Sequence, residues 1–191
     1  MDSELNRSKP LTVNDIKIRT KHRNLIPFVE NSAQLRYIDD NPKLIDFRGN
    51  REIILKARQM GFSTFIAAKM FVDTVTTPNT QSIIIAQDET QSKRIFQMIK
   101  RFQDNLPEDR KIKPDNDSSG ELVWKSIDSA FYVGWAGSKK VGRGGTINNA
   151  HLSEAAFWEN AGELVAGLLQ AVPADGNIFI ESTANGVDNY Y

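Results

Sequence analysis

The chain has no cysteine, so neither a disulfide nor a thiolate-held metal site can form among its 191 residues. Two histidines, His22 and His151, are too few for a histidine-built metal centre. Neither sign of charge is in excess. The 24 basic and 24 acidic side chains cancel, which advertises no polyanion partner but leaves room for a local basic patch. No apolar run approaches the roughly 20 residues that span a bilayer, and the opening MDSELNRSKP lacks the apolar core of a signal peptide. A membrane partner is therefore not expected, and a reducing cytosol fits the missing thiols. What remains is ordinary for a soluble globular protein, with 40% hydrophobic and 25% charged residues and no repeat or low-complexity segment. The length suits one domain or slightly more.

Residues 1–26 are polar and become basic at Lys17, Arg19, Lys21, His22 and Arg23, which predicts a loose arm or a short helix over 12–23. Asn31 is a good N-cap for a helix over Ser32–Asp39, ended by Asn41-Pro42. Strands are expected at Glu52–Ala57, Ser82–Ala86, Thr146–Leu152 and Asn177–Ser182, and a hairpin pair at Glu121–Lys125 and Ala130–Ala136. Helices are expected at Ser63–Thr76, Glu89–Leu106 and Ala161–Ala171, with loops over 107–120 and 137–145. Strands alternating with helices, several of them apolar throughout, describe an α/β domain with a largely parallel sheet.

Four stretches carry candidate chemistry. In ARQMGFST, residues 57–64, a strand turns on Gly61 into a helix opened by Ser63 and Thr64. Such a turn aims backbone N–H groups and the positive end of a helix dipole at an anion. The pattern GxxxxGK[ST] is not met, because Lys56 stands at the leading glycine and Phe62 at the lysine. Arg58 is then the candidate phosphate cation, and the Ser63 or Thr64 hydroxyl a candidate for Mg²⁺. An ordinary strand–turn–helix explains the same residues. In TINNAHLSEAAFW, an apolar strand ends on Ser153 and Glu154, at the ligand edge of an open sheet. Glu154 can activate a water there, with Ser153 where a metal-side aspartate usually stands. Alternatively, Ser153 caps a helix and Glu154 lies in its first turn. FIESTANG puts small hydroxyl and amide groups at a strand end, which suits a γ-phosphate sensor or a plain loop. GRGG around Arg143, preceded by Lys139 and Lys140, suits an arginine finger, a DNA-phosphate contact or a solubilising loop.

Taken in order, PFVENSAQ, ARQMGFST, GRGGTINNAHLSEAAFW and ESTANG resemble the ATPase domain of the large terminase subunit of tailed phages, over about residues 25–191. The resemblance implies a three-layer αβα P-loop NTPase of the additional-strand type with a mostly parallel central sheet. It divides the chain into an arm, 1–26, and an ATPase domain, 27–191, incomplete because the lid subdomain and the C-terminal nuclease domain lie outside it. It implies ATP and Mg²⁺ as cofactors. Gln34 would read the adenine, and Arg58, Gln59, Met60, Gly61, Phe62, Ser63 and Thr64 would form the phosphate loop. Ser63 and Ser153 would lie near the metal, Glu154 would activate water, Thr183 would couple, and a neighbour's Arg143 would be the finger. The implied partners are double-stranded DNA, portal protein, the small terminase subunit and further copies in a ring on the portal, in the host cytoplasm and transiently on a procapsid. A catalytically degenerate DNA- or portal-binding remnant and a helicase-like translocase are the alternatives.

Overall fold

The computed structural model describes residues 10–138, 145–159 and 161–186. A short antiparallel hairpin comes first, β1 (Lys17–Arg19) against β2 (Leu25–Pro27), preceded by a 3-10 turn at Val13–Asp15. It replaces the helix expected over 12–23. Ile16 is fully buried and Val13 nearly so, both within the main hydrophobic core, so two apolar side chains anchor a segment whose exposed charges suggested a loose arm. An ion pair from Asp15 to Arg110, 3.0 Å long, adds a second tie.

Helix α1 (Ser32–Asp40) opens on a capping box, in which the Asn31 side chain accepts from the N–H groups of Ala33 and Gln34 while Gln34 accepts from the Asn31 N–H. After one turn of helix, α2 (Lys43–Asp46), the chain enters β3 (Arg51–Leu55) and then α3 (Phe62–Thr76). There follow β4 (Gln81–Ala86), α4 (Glu89–Asp104), β5 (Asn116–Ser118), β6 (Glu121–Trp124), β7 (Ser129–Trp135), β8 (Asn149–Ser153), α5 (Ala161–Ala171) and β9 (Asn177–Ser182). The polar stretch 107–120, expected as loop, holds a 3-10 turn and β5, which adds itself to the edge of the hairpin partner β6.

Seven strands form one sheet in the order β3-β9-β8-β4-β7-β6-β5, and the first five run parallel. One face packs on α3 and α4 around Phe65, Phe71, Phe102 and Phe131, and the other on α5 around Ile85, Leu152, Val165 and Ile180. The domain is thus a three-layer αβα sandwich, which explains why Ile83, Ile84 and Ile85 of β4 are all buried. Buried on several sides, α3 places Phe65, Ile66, Ala67, Ala68, Met70 and Phe71 out of solvent, more than the single apolar stripe of an amphipathic helix. At the amino edge of the sheet, Asn177 links Asn50 (2.7 Å) to Asn149 (2.7 Å), and Asn149 reaches Asp73 and Ser82. This amide chain fixes the register of β3, β9, β8 and β4 by satisfying polar groups that water does not reach. Among the described residues no helix is long and apolar enough to cross a membrane.

Candidate active site

At the carboxyl edge of the sheet, β3 runs into the turn that opens α3. Gln59 (φ 64°) and Gly61 (φ 74°) both adopt left-handed backbone, and the helix begins at Phe62 with no side chain capping it. Phe65 is the first residue whose N–H finds a helical acceptor, the Gly61 carbonyl at 3.0 Å. The N–H groups of Phe62, Ser63 and Thr64 therefore have no partner within the helix, and a fifteen-residue dipole stands behind them. The Phe62 ring turns into the core, 5.3 Å from Tyr37 and edge-on to it, so this residue offers the loop only its backbone.

Helix α1 clamps the loop from outside. Gln34 is buried and donates through Nε2 to the carbonyls of Gly61 (3.0 Å) and Met60 (3.4 Å), while Asn31 Nδ2 also reaches Met60 (3.0 Å). Gly61 is required here twice over. Its φ is left-handed, and a Cβ on it would lie 2.9 Å from Gln34 Nε2. Of the remaining loop residues, Met60 and Thr64 are half-buried, and Gln59 takes a hydrogen bond from Lys21 (2.8 Å). Arg58 is exposed, and its side chain reaches none of the site's carboxylates.

The centre of the site is a cation between two carboxylates. Lys56 Nζ lies 2.8 Å from Glu154 Oε1 and 2.8 Å from Glu181 Oε2, with the Lys56 side chain 7% exposed and Glu181 fully buried. Glu181 Oε1 accepts from Ser63 Oγ (2.7 Å) and Ser153 Oγ (2.8 Å), with His151 Nε2 at 3.3 Å. Glu154 Oε2 accepts from the Thr183 N–H and hydroxyl, both at 3.0 Å. Farther along, Asn185 Nδ2 donates to the Ala156 carbonyl (2.9 Å), so the segment after β9 is tied to the turn after β8. Glu154 itself is held at φ 56°, a left-handed conformation that costs a non-glycine residue on the order of 1–3 kcal/mol and recurs at functional sites.

Burial pushes the Glu154 carboxyl up, but the hydrogen bond from Lys56, the Thr183 N–H and the Lys56 charge outweigh it and hold the pKa below the ordinary value. Glu154 is therefore an anion at neutral pH, in the form that can accept a proton or orient a water. His151 is pushed down to about 3, first by burial and then by the Lys56 charge, against the opposite pull of Glu154. Its contact with Glu181 is accordingly a hydrogen bond from a neutral ring and not an ion pair.

The His151 shift has a consequence for stability. The unfolded imidazole binds its proton near its ordinary pKa of 6.5, while the folded one does so only near 3, so stability falls as pH falls through that interval. In metal-free buffer, the slope of unfolding free energy between pH 6.5 and 5 is expected to be shallower in His151→Gln by up to about 1.4 kcal/mol per pH unit. Glu154 contributes its own loss chiefly below the ordinary carboxyl value of 4.5, outside this window. Parallel slopes in wild type and variant, measured by urea denaturation, would show that His151 is already charged in the folded chain.

The structure thus brings together Ser63, Ser153, Glu154 and Thr183 and places Gln34 against the loop. Arg143 lies outside the described residues. Sequence reasoning missed Lys56 and Glu181. Lys56 was visible only as a residue standing where a glycine was sought, and Glu181 only as the acidic member of a strand end otherwise made of small polar groups.

The sheet order sets one strand, β9, between β3 and the strand β8 that delivers Glu154. This is the fold class of the additional-strand P-loop ATPases. Within it, the solved structure of the HK97 bacteriophage large terminase has the same fold, with a TM-score of 0.70 over 89% of this chain at 16% identity. The chain spans 36% of that structure. S. cerevisiae Dbp5, solved with Gle1 and IP6 bound, matches at a TM-score of 0.52 and 16% identity over 72% of this chain and 37% of its own. The Thermus phage P74-26 large terminase ATPase domain matches at 0.49 and 19% identity, over 84% of this chain and 72% of its own. No protein-family model and no curated protein matches the sequence.

Proposed function

We propose that this chain is the ATP-hydrolysing domain of a large-terminase-type DNA-packaging motor. The observation that carries the reading is the convergence, at one sheet edge, of an uncapped helix N-terminus with Lys56 and a Glu154 anchored to Thr183. The N–H groups of residues 62–64 and the Lys56 ammonium would hold the phosphates, with the exposed Arg58 adding charge from the solvent side. Gln34 keeps one lone pair on Oε1, enough to accept from the adenine amino group. The donor set fits Mg²⁺. Among the described residues no cluster of three His, Cys, Asp or Glu side chains is placed to hold a metal, but hydroxyls and a carboxylate stand beside the phosphate loop. Mg²⁺ takes one or two carboxylates and completes its shell with water and phosphate oxygens. When bound, it supplies neutralisation of phosphate charge.

In this reading Glu154 accepts the proton of the attacking water, and Thr183, hydrogen-bonded to the same carboxylate, relays the change in its surroundings to the segment after β9. Arg143 would be offered by a neighbouring copy. Double-stranded DNA, the portal, the small subunit and a ring of copies on the portal belong to the same proposal, as does action in the host cytoplasm and on the procapsid. The likeness to Dbp5 favours a second reading, a helicase-like translocase. A longer gene product continuing into clustered acidic nuclease residues would separate the first reading from one continuing into a second motor domain.

The proposal is tested by titrating the chain with a fluorescent ATP analogue in the presence of Mg²⁺. Binding is expected, and Gly61→Ala should weaken it by about tenfold, because a left-handed non-glycine residue costs roughly 1–2 kcal/mol and the new methyl displaces Gln34. Failure of wild type to bind, or equal binding by Gly61→Ala, sinks the phosphate-loop assignment. Weak or absent turnover is expected of this chain alone, with no neighbour to offer Arg143, so it is binding without turnover by the longer gene product that would favour the degenerate remnant.

A further inference from the structure

By position along β8, the metal-side group of this site is Ser153, which has no charge with which to hold a divalent cation. The sheet supplies one from the next strand. Ser153 and Glu181 are register partners on the parallel pair β8 and β9, so their side chains leave the same face. Glu181 Oε1 receives the hydroxyl protons of Ser63, at the start of α3, and of Ser153, at the end of β8. A hydroxyl has one proton and two lone pairs, so donation to Glu181 leaves both serine oxygens free to accept a cation.

The surroundings of Glu181 exceed what an ion pair requires. The carboxylate is fully buried, it gathers two hydroxyls and an imidazole on Oε1, and Oε2 is ion-paired with the Lys56 ammonium at 2.8 Å. His151 Nδ1 is also buried without a partner. Taking a carboxylate wholly out of water is costly even when it is paired, and this one stands beside the start of α3 with two hydroxyls aimed at it.

We infer that Glu181 is the metal-side carboxylate of this site, acting with the hydroxyls of Ser63 and Ser153 in the place that the sequence motif gives to position 153. His151 is a positioning residue that holds the Glu181 carboxylate through Nε2. The inference rests on the ATPase reading and deepens it.

The test uses Mn²⁺ as a spin probe, with affinity measured by electron paramagnetic resonance of the chain in the presence of ADP, alongside ADP binding in EDTA. Glu181→Gln is expected to weaken Mn²⁺ by about 10- to 100-fold, the range found when a carboxylate supporting a metal is lost. ADP binding in EDTA should not weaken, because the change removes a negative charge from beside the Lys56 ammonium, and adding Ser153→Asp to Glu181→Gln should recover the Mn²⁺ affinity. Unchanged Mn²⁺ affinity in Glu181→Gln, or no recovery in the double variant, overturns the inference while leaving the nucleotide site intact. Absence of ADP binding by wild type, with metal or without, overturns the ATPase reading and this inference with it. Should Glu181→Gln not fold, Glu181→Asp keeps the charge against Lys56 and withdraws the oxygens by one methylene. Loss of Mn²⁺ affinity in that variant supports the inference, and wild-type affinity overturns it.

Discussion

Lys56→Met is expected to destabilise the chain by about 3–5 kcal/mol at neutral pH, the usual cost of removing one partner from a buried ion pair. The cost is large because the ammonium serves two carboxylates at once, each 2.8 Å away, and one of them is fully buried. Without it, Glu154 and Glu181 face each other across the site as like charges. Glu154 would also lose the hydrogen bond and the charge that hold its pKa down, so burial would then push that pKa up. The effect should be partly reversed in Lys56→Met/Glu181→Gln, because the second change removes the buried charge that the first leaves unpaired. Urea denaturation of the wild type, both single variants and the double variant at pH 7 decides it. A loss under about 1 kcal/mol in Lys56→Met, or a double variant worse than the sum of the singles, would mean that Lys56 does not bridge the two carboxylates.

That cation shows where reading the chain one residue at a time stops. The helices and most strands were legible because periodicity and caps are local. Asn31 caps α1, and Ala161–Ala171 and Asn177–Ser182 form the helix and strand their patterns predict. Glu154 and Thr183 were legible as strand-end residues, and their mutual hydrogen bonds give that reading a geometry. Lys56 and Glu154 are 98 residues apart in sequence and meet only because β9 lies between β3 and β8. Strand order is set by crossovers, which no run of residues displays, so Lys56 registered as a failed glycine and Arg58 drew attention as the nearest other cation. Gln34 entered the candidate site only through the family resemblance, and its grip on the Gly61 carbonyl could not be read from the sequence, because that contact depends on how α1 docks. The hairpin β1–β2 was hidden for the opposite reason. Its charges are exposed and numerous, and the two buried residues that anchor it, Val13 and Ile16, are too few to form a pattern.

Glu154→Gln is expected to lower ATP turnover by about 100- to 1,000-fold, within the span that a positioned acid or base contributes, while nucleotide affinity stays within a few-fold of wild type. The reason lies in the two ends of the carboxylate. Oε1 meets the Lys56 ammonium, and Oε2 accepts from both the Thr183 N–H and the Thr183 hydroxyl. An amide is nearly isosteric but can accept at only one end. With its oxygen toward Thr183, its NH₂ confronts the Lys56 ammonium, donor against donor. With its oxygen toward Lys56, the Thr183 N–H and hydroxyl face a donor. Either orientation breaks the link between Glu154 and Thr183, the proposed base and its proposed relay, and the neutral amide has no affinity for a water's proton. In the proposed reading the loop N–H groups are unchanged and Lys56 keeps its pairing with Glu181, so kcat and affinity should separate. Equal turnover by Glu154→Gln and wild type would remove Glu154 from the chemistry. A matching collapse of nucleotide affinity would make it a structural prop of the loop instead.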